Sequence, residues 1–432
     1  RHNEHKRKII SYKGRTIIMK NFLKGIGIGI CIGIPLLAVL LIASHITGWP
    51  SFLHKNASMQ EEFSQDSEVE ESDFTGNTGI ENDSYQESDS NSEDTRNNES
   101  GMAEDSTQVS EDADISTDEA SGTGDVLLAF AGDVMFPEAY LDAYNRSGIQ
   151  ALADNNMLSH MQDADLFIFN EEFPFSLQGE AMEDKQFTFR ADPKYVKIFQ
   201  DLGADIVTVA NNHSLDFGRD AFCDTLATLD QAGITRIGGG YNDTEASAPA
   251  TRTINGQTFA IFGATRVSPS WDWYATDNQA GIFQTYDPAR LNAAIKEAHQ
   301  TCDHVIVFVH WGIERNETPE DYQRSLAKGY IDAGADLVVG CHPHVLQGFE
   351  YYNGVPIIYS LGNYLFGNRD GQTVLLETTF SDENPPSVKL IPCQRSGGVL
   401  KEIQNPSGLY QKLTNLSFDV TVGEDGVLKD QE

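Results

Sequence analysis

Short apolar runs that end at polar residues constrain the fold of this chain more than any other feature of its sequence. Seven such runs follow residue 124, and they are Val126–Ala131, Leu166–Phe169, Ile206–Ala210, Phe259–Gly263, Val305–Val309, Leu337–Val339 and Ile357–Ser360. Strands with one solvated face alternate apolar and polar residues, whereas these runs are almost continuously apolar, with Thr208 and Ser360 as exceptions. They therefore predict strands that are covered on both faces of a sheet.

Segments with the apolar spacing of helices lie between several of these strands. They are Pro193–Gly203, Arg219–Gly233, Asp287–Thr301 and Pro319–Gly334. Strands that alternate with helices predict an α/β domain whose sheets are covered by helices. The last part of the chain differs, because Val374–Phe380 and Ser387–Pro392 have the pattern of antiparallel strands that extend or edge a sheet.

The first part of the chain has a basic, an apolar and an acidic segment in succession. Residues 1–24 are basic, and the uncharged segment Gly25–Ser44 follows them. A helix of that length spans about 30 Å, the thickness of a bilayer's hydrocarbon core. We therefore expect a basic cytoplasmic segment at 1–24 and a transmembrane anchor at 25–46. The rival interpretation is a cleaved signal peptide, which the length of the run and the missing A-x-A site disfavour.

Residues 47–124 predict a disordered acidic linker. Between residues 56 and 124 there are twenty-one Asp and Glu residues against the single cation Arg96, and apolar side chains are scarce. Such a segment cannot bury enough surface to offset its chain entropy. We expect it to tether an extracellular domain, residues 125–432, to the cell membrane.

The net charge of −35 bears on the partners of that domain. The domain itself is strongly acidic, so it will not hold nucleic acid by general attraction to phosphate. Any phosphate or polyanion that it handles must instead meet a local cation, and a bound metal ion is the obvious one.

Polar residues gather where the apolar runs stop, which is where α/β folds usually place their sites. The set is Asp133, Glu172, Asn212, His213, His310, His342 and His344. Carboxylate, amide and imidazole ligands together suit Mn²⁺, Fe²⁺ or Zn²⁺ better than Ca²⁺ or Mg²⁺. Each residue alone is better explained as a strand-end cap or a hydrogen-bonded turn residue, but seven of them together favour a metal site.

Hydrolysis at a metal site needs a group that protonates the leaving atom, and His213 is the candidate. Asp216 lies three residues further on, where it either orients His213 or holds the turn. The five cysteines have no metal-knuckle spacing and do not indicate a disulfide framework. Cys341, next to His342, could ligate a metal ion, although a buried small apolar side chain is the preferred interpretation.

Several motifs in order resemble the CapA/PgsA family of capsule or poly-γ-glutamate synthesis proteins. They are GDVMF at 132–136, ANNHSLDFG at 210–218, HWGIE at 310–314, LVVGCHPHVLQ at 337–347 and YSLGNYLF at 359–366. The resemblance implies a calcineurin-like metallophosphoesterase fold, a four-layer α/β/β/α sandwich. It also implies an outward-facing membrane protein that makes or exports a γ-linked polyglutamate or a related envelope polymer.

The same resemblance implies roles for the polar residues. Asp133 is similar to the first metal-binding aspartate, Glu172 to the bridging carboxylate, Asn212 to the amide ligand, His213 to the catalytic histidine, and His310, His342 and His344 to the remaining ligands. One position departs from the wider superfamily, because Met135 stands where phosphoesterases usually have a histidine. One metal is therefore expected to lack a ligand.

Two loops carry candidate substrate contacts. The loop 268–281 contains Trp271, Trp273 and Tyr274, which predict either contact with a polymer or sugar or a lid packed on its own domain. Glu314 and Arg315 follow the HWG motif, and Arg315 could grip a carboxylate or phosphate as a fork.

The leading hypothesis is thus a membrane-anchored extracellular component of capsule or poly-γ-glutamate synthesis or export with a metal-dependent hydrolase-type site. Its partners would be an anionic envelope polymer such as polyglutamate and subunits of the synthase. Two alternatives stay open. One is a non-enzymatic subunit that binds the polymer or assembles the synthase, and the other is a general extracellular phosphoesterase.

Overall fold

The computed structural model describes residues 124–367, 370–381 and 385–431. The predicted cytoplasmic segment 1–24, the predicted anchor 25–46 and the predicted linker up to residue 123 lie outside the described residues. Among the residues that are described, no helix has both the length and the apolar character that a membrane crossing requires.

Eighteen strands are formed by the described residues. In chain order they are β1 Val126–Met135, β2 Leu166–Glu171, β3 Ile206–Thr208, β4 Thr235–Ile237, β5 Gly239–Gly240, β6 Ala250–Ile254, β7 Gln257–Thr265, β8 Gly281–Ile282, β9 His304–His310, β10 Leu337–Cys341, β11 Phe349–Tyr352, β12 Val355–Ile358, β13 Asn363–Phe366, β14 Gly371–Phe380, β15 Ser387–Ser396, β16 Val399–Glu402, β17 Val420–Val422 and β18 Leu428–Asp430.

Eight α-helices accompany these strands in the described part of the chain. They are α1 Glu138–Ser147, α2 Asn155–Gln162, α3 Val196–Leu202, α4 Gly218–Ala232, α5 Asp243–Ser247, α6 Ala289–Ala298, α7 Asp321–Ala333 and α8 Ser407–Leu416. Local signals explain several ends: α3, α4 and α7 each stop at a glycine in the left-handed region, namely Gly203, Gly233 and Gly334. Glu320 and Gln323 close a capping box at the start of α7.

Two large mixed sheets hold fourteen of these strands, while β5 pairs with β8 and β17 with β18 in two-stranded sheets. The first has the order β16-β15-β14-β1-β2-β3-β4, with β13 also paired to β1, and the second has the order β11-β12-β10-β9-β7-β6. The strands β1 to β4 are mutually parallel, and so are β7, β9, β10 and β12. Because parallel strands end at the same edge, each sheet collects its strand ends on one rim.

Three apolar cores give the order of the layers. Alternate residues of β1 separate two of them: Ala129 packs with the core that includes residues of α1 to α4, whereas Leu128 packs with the core that also contains Phe308 of the second sheet. On β9, the neighbouring Val307 packs instead with residues of α6 and α7. The packing order is therefore helices, first sheet, second sheet, helices.

The mixed α/β fold predicted from the sequence is confirmed, and so is the antiparallel pairing of β14 with β15. The predicted bounds are wrong by up to four residues, chiefly because strands continue past their apolar runs. The run Val126–Ala131, for example, belongs to a strand that reaches Met135. Four helices were not predicted, and they are α1, α2, α5 and α8.

Candidate metal centre

The rims of the two sheets supply the side chains of one polar cluster. On the first sheet, Asp133 of β1 is paired in register with Asn170 of β2, and Glu172 is the first residue after β2. On the second sheet, His310 and Cys341 are paired at the ends of β9 and β10. His342 and His344 lie in the turn that follows β10, so a few residues of each sheet bring all these groups together.

The turn after β10 is held in an uncommon backbone conformation. His342 has φ of 100° and His344 has φ of 57°, with Pro343 between them. Non-glycine residues rarely adopt positive φ, and such strain persists only where the surroundings enforce it. The preceding Gly340 is part of that enforcement, because a Cβ there would overlap the carbonyl oxygen of Tyr359 and the indole nitrogen of Trp311.

Two groups of three potential ligands lie within this cluster. The first is Asp133, His310 and Cys341, and the second is Glu172, His342 and His344. Within each group the potential ligand atoms all lie within 4.8 Å of one another, and only His344 is not fully buried. The six side chains come from both sheets. Five of them belong to the set of polar residues predicted from the sequence, and Cys341 is the sixth.

Short contacts join the two groups into one centre. Asp133 Oδ2 lies 3.2 Å from His344 Nδ1 and accepts the backbone N–H of His342 at 3.3 Å. Glu172 Oε1 lies 3.8 Å from His344 Nε2 and 3.9 Å from His310 Nε2. A metal ion bound to one group would therefore lie close to side chains of the other.

Two atoms of this cluster are buried without a hydrogen-bond partner, and they fit a divalent cation. They are Glu172 Oε1 and His342 Nδ1. Burial, and then the charge of Asp133, raises the pKa of Glu172 well above its ordinary value. Burial likewise lowers the pKa of His342 to about 3 and that of His310 well below its usual range. A metal ion binds an ionised carboxylate and neutral imidazoles. A bound cation would therefore stabilise the buried charge of Glu172, and the two imidazoles are already in the form that binds a metal.

Asn170 is a member of the site that the sequence reasoning missed. Its side-chain amide nitrogen donates to Asp133 Oδ1 at 2.8 Å and to Glu172 Oε2 at 3.1 Å, and its oxygen accepts from Asn211 at 3.0 Å. The amide of Asn170 thus holds one oxygen of each carboxylate and orients both side chains. Its position two residues before Glu172, at the end of an apolar run, was the signal that could have identified it.

Asn212 and His213 reach the cluster from the end of β3. Asn212 Oδ1 lies 3.0 Å from His310 Nε2, which places the amide beside the candidate ligands. His213 is buried, and its Nδ1 lies 2.7 Å from Asp216 Oδ2. Asp216 also closes the turn, since its backbone N–H donates to the carbonyl of His213 at 3.2 Å. Orientation of His213 and stabilisation of the turn are therefore combined in one residue.

Lys185 is a second residue that the sequence reasoning missed. Its ammonium contacts Asp216 Oδ1 and the carbonyl oxygen of Asn212, and it lies 3.0 Å from His213 Nδ1. Burial and then the charge of Lys185 lower the pKa of His213 to about 4, so the imidazole is neutral at neutral pH. No spacing or periodicity marks Lys185, because its loop is polar and irregular.

The loop that carries Lys185 wraps around His213. Met182 N–H donates to the carbonyl of Asp216, and Phe189 N–H donates to Asp216 Oδ2 at 2.7 Å. The Phe189 ring lies 4.4 Å from the His213 ring, centroid to centroid. Residues 182–189 therefore shield one side of His213 from water and fix its orientation.

The aromatic loop is packed more closely than an open binding surface would be. Trp273 is only 5% exposed and Tyr274 only 8%, so the expectation that Trp273 presents its ring to a polymer is wrong. The lid interpretation holds for both of these side chains. Trp271 is different, because it is 50% exposed and lies edge-on to Tyr274, with ring centroids 5.1 Å apart.

Glu314 and Arg315 lie at the exposed mouth of the centre. The N–H of Arg315, which has φ of 63°, donates to the carbonyl of Pro343 at 2.7 Å and so joins their loop to the histidine turn. The Glu314 carboxylate is close enough to contribute to the raised pKa values of Glu172 and His344. Both residues are exposed, as a substrate contact requires.

Comparison with known families and proteins gives consistent matches. A sequence model of the family described as "Bacterial capsule synthesis protein PGA_cap" matches residues 127–368, more than half of the chain. The PGA biosynthesis protein CapA of Bacillus subtilis is 34% identical over 245 residues, which cover 56% of this chain and 64% of that protein. The capsule biosynthesis protein CapA of Bacillus anthracis is 28% identical over 300 residues, 66% and 72% of the two chains.

The chain thus spans less than two thirds of the length of the Bacillus subtilis relative. Among solved structures, one described as a novel phosphatase of Mycoplasma pneumoniae aligns over 67% of this chain and 99% of that chain, with 12% identity and a TM-score of 0.42. At that TM-score the likeness does not identify a shared activity.

Proposed function

This chain belongs to the bacterial capsule synthesis protein PGA_cap family, and we propose that it is a membrane-anchored, outward-facing component of capsule or poly-γ-glutamate synthesis or export. We further propose that its polar cluster is a metal-dependent hydrolase-type site of the metallophosphoesterase kind, acting on a phosphoester or amide bond. The names of the Bacillus relatives support the pathway, because both refer to biosynthesis of a capsule or of PGA.

The observation that carries the site proposal is the pair of adjacent ligand groups with unsatisfied buried atoms. Five side chains with oxygen or nitrogen donors converge from the two sheets, and Glu172 Oε1 and His342 Nδ1 have no hydrogen-bond partner. Native proteins rarely leave such atoms unpaired, since each unpaired buried group costs about 1–3 kcal/mol. A divalent ion would supply the missing partner, and the mixture of oxygen and nitrogen donors favours Mn²⁺, Fe²⁺ or Zn²⁺.

The residues around the ligands have distinct tasks in this proposal. When bound, the metal would polarise the scissile group and supply hydroxide at neutral pH. Asn170 holds the carboxylates of Asp133 and Glu172, and Asn212 adds an amide oxygen beside His310. His213 Nδ1 lies 2.7 Å from Asp216 Oδ2 and 3.0 Å from Lys185 Nζ; in this proposal Nδ1 donates to the carboxylate, which leaves Nε2 to exchange a proton with the substrate.

Two exposed side chains of the candidate substrate contacts support an anionic substrate. Arg315 and Trp271 are exposed and offer a cation and an aromatic surface to a chain of carboxylates such as polyglutamate. Synthase subunits would be further partners. The basic segment 1–24, the anchor 25–46 and the linker 47–124 would keep the domain at the outer face of the membrane, and these assignments are supported by sequence alone.

Metal analysis of the purified full-length chain tests the site. We expect bound Mn, Fe or Zn in the wild type and in His299→Ala, an exposed histidine that serves as the matched control. A variant with His342→Ala and His344→Ala should lose the metal. If the wild type takes up none of the three metals, or if the double variant retains a full complement, the metal centre does not exist.

Activity separates the enzyme from its alternatives. The metal-loaded wild type and His213→Ala would be assayed on poly-γ-glutamate and on phosphomonoesters and phosphodiesters. Cleavage that disappears in His213→Ala while the metal stays bound supports the hydrolase. Turnover restricted to simple phosphoesters would favour a general phosphoesterase. Absence of any turnover from both proteins would favour a polymer-binding or assembly subunit.

A further inference from the structure

One of the two ligand groups contains a sulfur atom that the proposed function does not use. Its members are Asp133, His310 and Cys341. The sequence led us to expect that one metal lacks a ligand, because Met135 replaces a histidine. Met135 is indeed packed into the core between the first sheet and its helices. The question is whether another side chain replaces the missing donor.

Cys341 occupies a suitable position for that donor. It is the last residue of β10 and is paired in register with His310, the last residue of β9. Its sulfur is completely buried and lies 3.4 Å from His310 Nδ1. The sulfur and the potential ligand atoms of Asp133 and His310 all lie within 4.8 Å of one another, so the three groups face the same space.

We propose that Cys341 is a metal ligand, and that its thiolate completes the Asp133–His310 group and makes this half of the centre selective for Zn²⁺. The inference rests on the proposed metal centre. Thiolate is a soft ligand that Zn²⁺ accepts readily and that Mn²⁺ and Mg²⁺ disfavour. Binding converts the thiol to a thiolate and releases its proton to solvent, with no change of oxidation state.

A second buried cysteine shows what a purely structural thiol looks like in this protein. Cys393 of β15 is also completely buried, but its sulfur contacts the carbonyl oxygen of Ile391 at 3.0 Å and the sulfur of Met157 at 3.6 Å. By contrast, the sulfur of Cys341 lies against an imidazole, and its only carbonyl contact in the described residues is Val309 at 3.8 Å. Cys393 is therefore the matched control.

Cobalt substitution tests the assignment without any assay of activity. The full-length chain would be loaded with Co²⁺, because a cobalt–thiolate bond gives an intense near-ultraviolet charge-transfer band that nitrogen and oxygen ligands do not give. We expect this band in the wild type and in Cys393→Ser, and its loss in Cys341→Ser at equal cobalt content. Persistence of the band in Cys341→Ser overturns the proposal.

X-ray absorption at the zinc edge decides the case if Cys341→Ser does not fold. In the zinc-loaded wild type we expect a sulfur neighbour at about 2.3 Å beside nitrogen and oxygen neighbours at about 2.0–2.2 Å. Bound zinc with only nitrogen and oxygen neighbours would overturn the role of Cys341 and leave the metal centre standing. A wild type that binds neither Co²⁺ nor Zn²⁺ would overturn both.

Discussion

The backbone N–H of His342 donates to Asp133 Oδ2 across 3.3 Å, although 209 positions separate the two residues in the chain. The bond joins the end of a strand in one sheet to the turn that follows a strand in the other. The core between the sheets therefore controls how far the carboxylates of Asp133 and Glu172, on the first sheet, lie from the donors that the second sheet supplies. Substitutions that shift one sheet relative to the other should disturb the centre even where they touch no ligand.

Replacing Asn170 tests how much the centre depends on oriented carboxylates. Asn170→Ala removes the amide that donates to both Asp133 and Glu172. Loss of such an outer partner typically lowers metal affinity about 10–100-fold. Titration of the full-length chain with Zn²⁺ measures the change. Asn145→Ala, on the exposed face of α1, is the control and should bind as the wild type does. Equal affinity in all three proteins would show that the carboxylates are held without Asn170.

Replacing Lys185 tests the electrostatic control of His213. In the metal-free wild type, burial and Lys185 lower the pKa of His213 to about 4, while Asp216 acts in the opposite direction. Lys185→Met removes the cation and leaves Asp216 in place, so we expect the pKa of His213 to rise. Resonances of the imidazole, followed by NMR during a pH titration, report this value. Lys194→Met, at the exposed pair with Asp192, should leave it unchanged. A pKa that stays near 4 in Lys185→Met would assign the shift to burial alone.

Glu350 gives a pH-dependent contribution to stability away from the centre. Burial alone would raise its pKa, but Arg324, Lys328 and Tyr359 donate to it and lower the pKa from 4.5 to about 2. A carboxyl group with a lowered folded pKa stabilises the protein fully above its unfolded pKa, and this stabilisation is lost as the pH falls from 4.5 towards 2.

We therefore expect Glu350→Gln to lower the free energy of unfolding by about 1–2 kcal/mol at pH 7, a value reduced for the partial exposure of the partners. Denaturant unfolding at pH 7 and at pH 3 measures the difference, which should shrink at the lower pH. Glu317→Gln, at an exposed pair with Lys412, should change stability little at either pH. A loss for Glu350→Gln that is the same at both pH values would mean that its charge contributes nothing.

The sheet strands were readable from the sequence because both faces of each are buried. Continuous apolar runs predicted β1, β2, β9 and β10, whereas the last one to four residues of each strand were left out. The helix α1 escaped notice because Tyr140 is its only buried residue, so it has almost no apolar stripe. The five-residue α5 is too short for a periodic signal.

The candidate ligands could be identified from the sequence for a different reason, namely that they stand at strand ends. Asp133, His310 and His342 could each be placed near the end of a strand without knowing how the sheets pack. Lys185 could not, because its role depends on contacts made across the fold. The sequence places Cys341 beside His342, but it favours a buried apolar side chain there over a metal ligand. Lys185 reaches His213 only through the path of the loop 182–189, and the sulfur of Cys341 matters only because His310 is its neighbour in register.

The two tryptophans of the aromatic loop should behave differently when each is replaced by alanine. Trp271 is 50% exposed, so Trp271→Ala should leave the unfolding temperature almost unchanged and weaken retention on immobilised poly-γ-glutamate. Trp273 is 5% exposed and packs in the core, with Lys185 Nζ 5.3 Å from its ring centroid. Truncation of a buried aromatic ring costs about 3–5 kcal/mol, so Trp273→Ala should unfold at a much lower temperature.

Thermal unfolding and retention on the polymer, measured for both variants, separate packing from binding. Tyr241→Ala, which removes another exposed aromatic ring, is the control for retention and should behave as the wild type does. If Trp271→Ala is retained as strongly as this control, the loop is a lid and does not contact the polymer. If Trp271→Ala instead loses as much stability as Trp273→Ala, its exposed ring contributes to the core, and any loss of retention follows from unfolding.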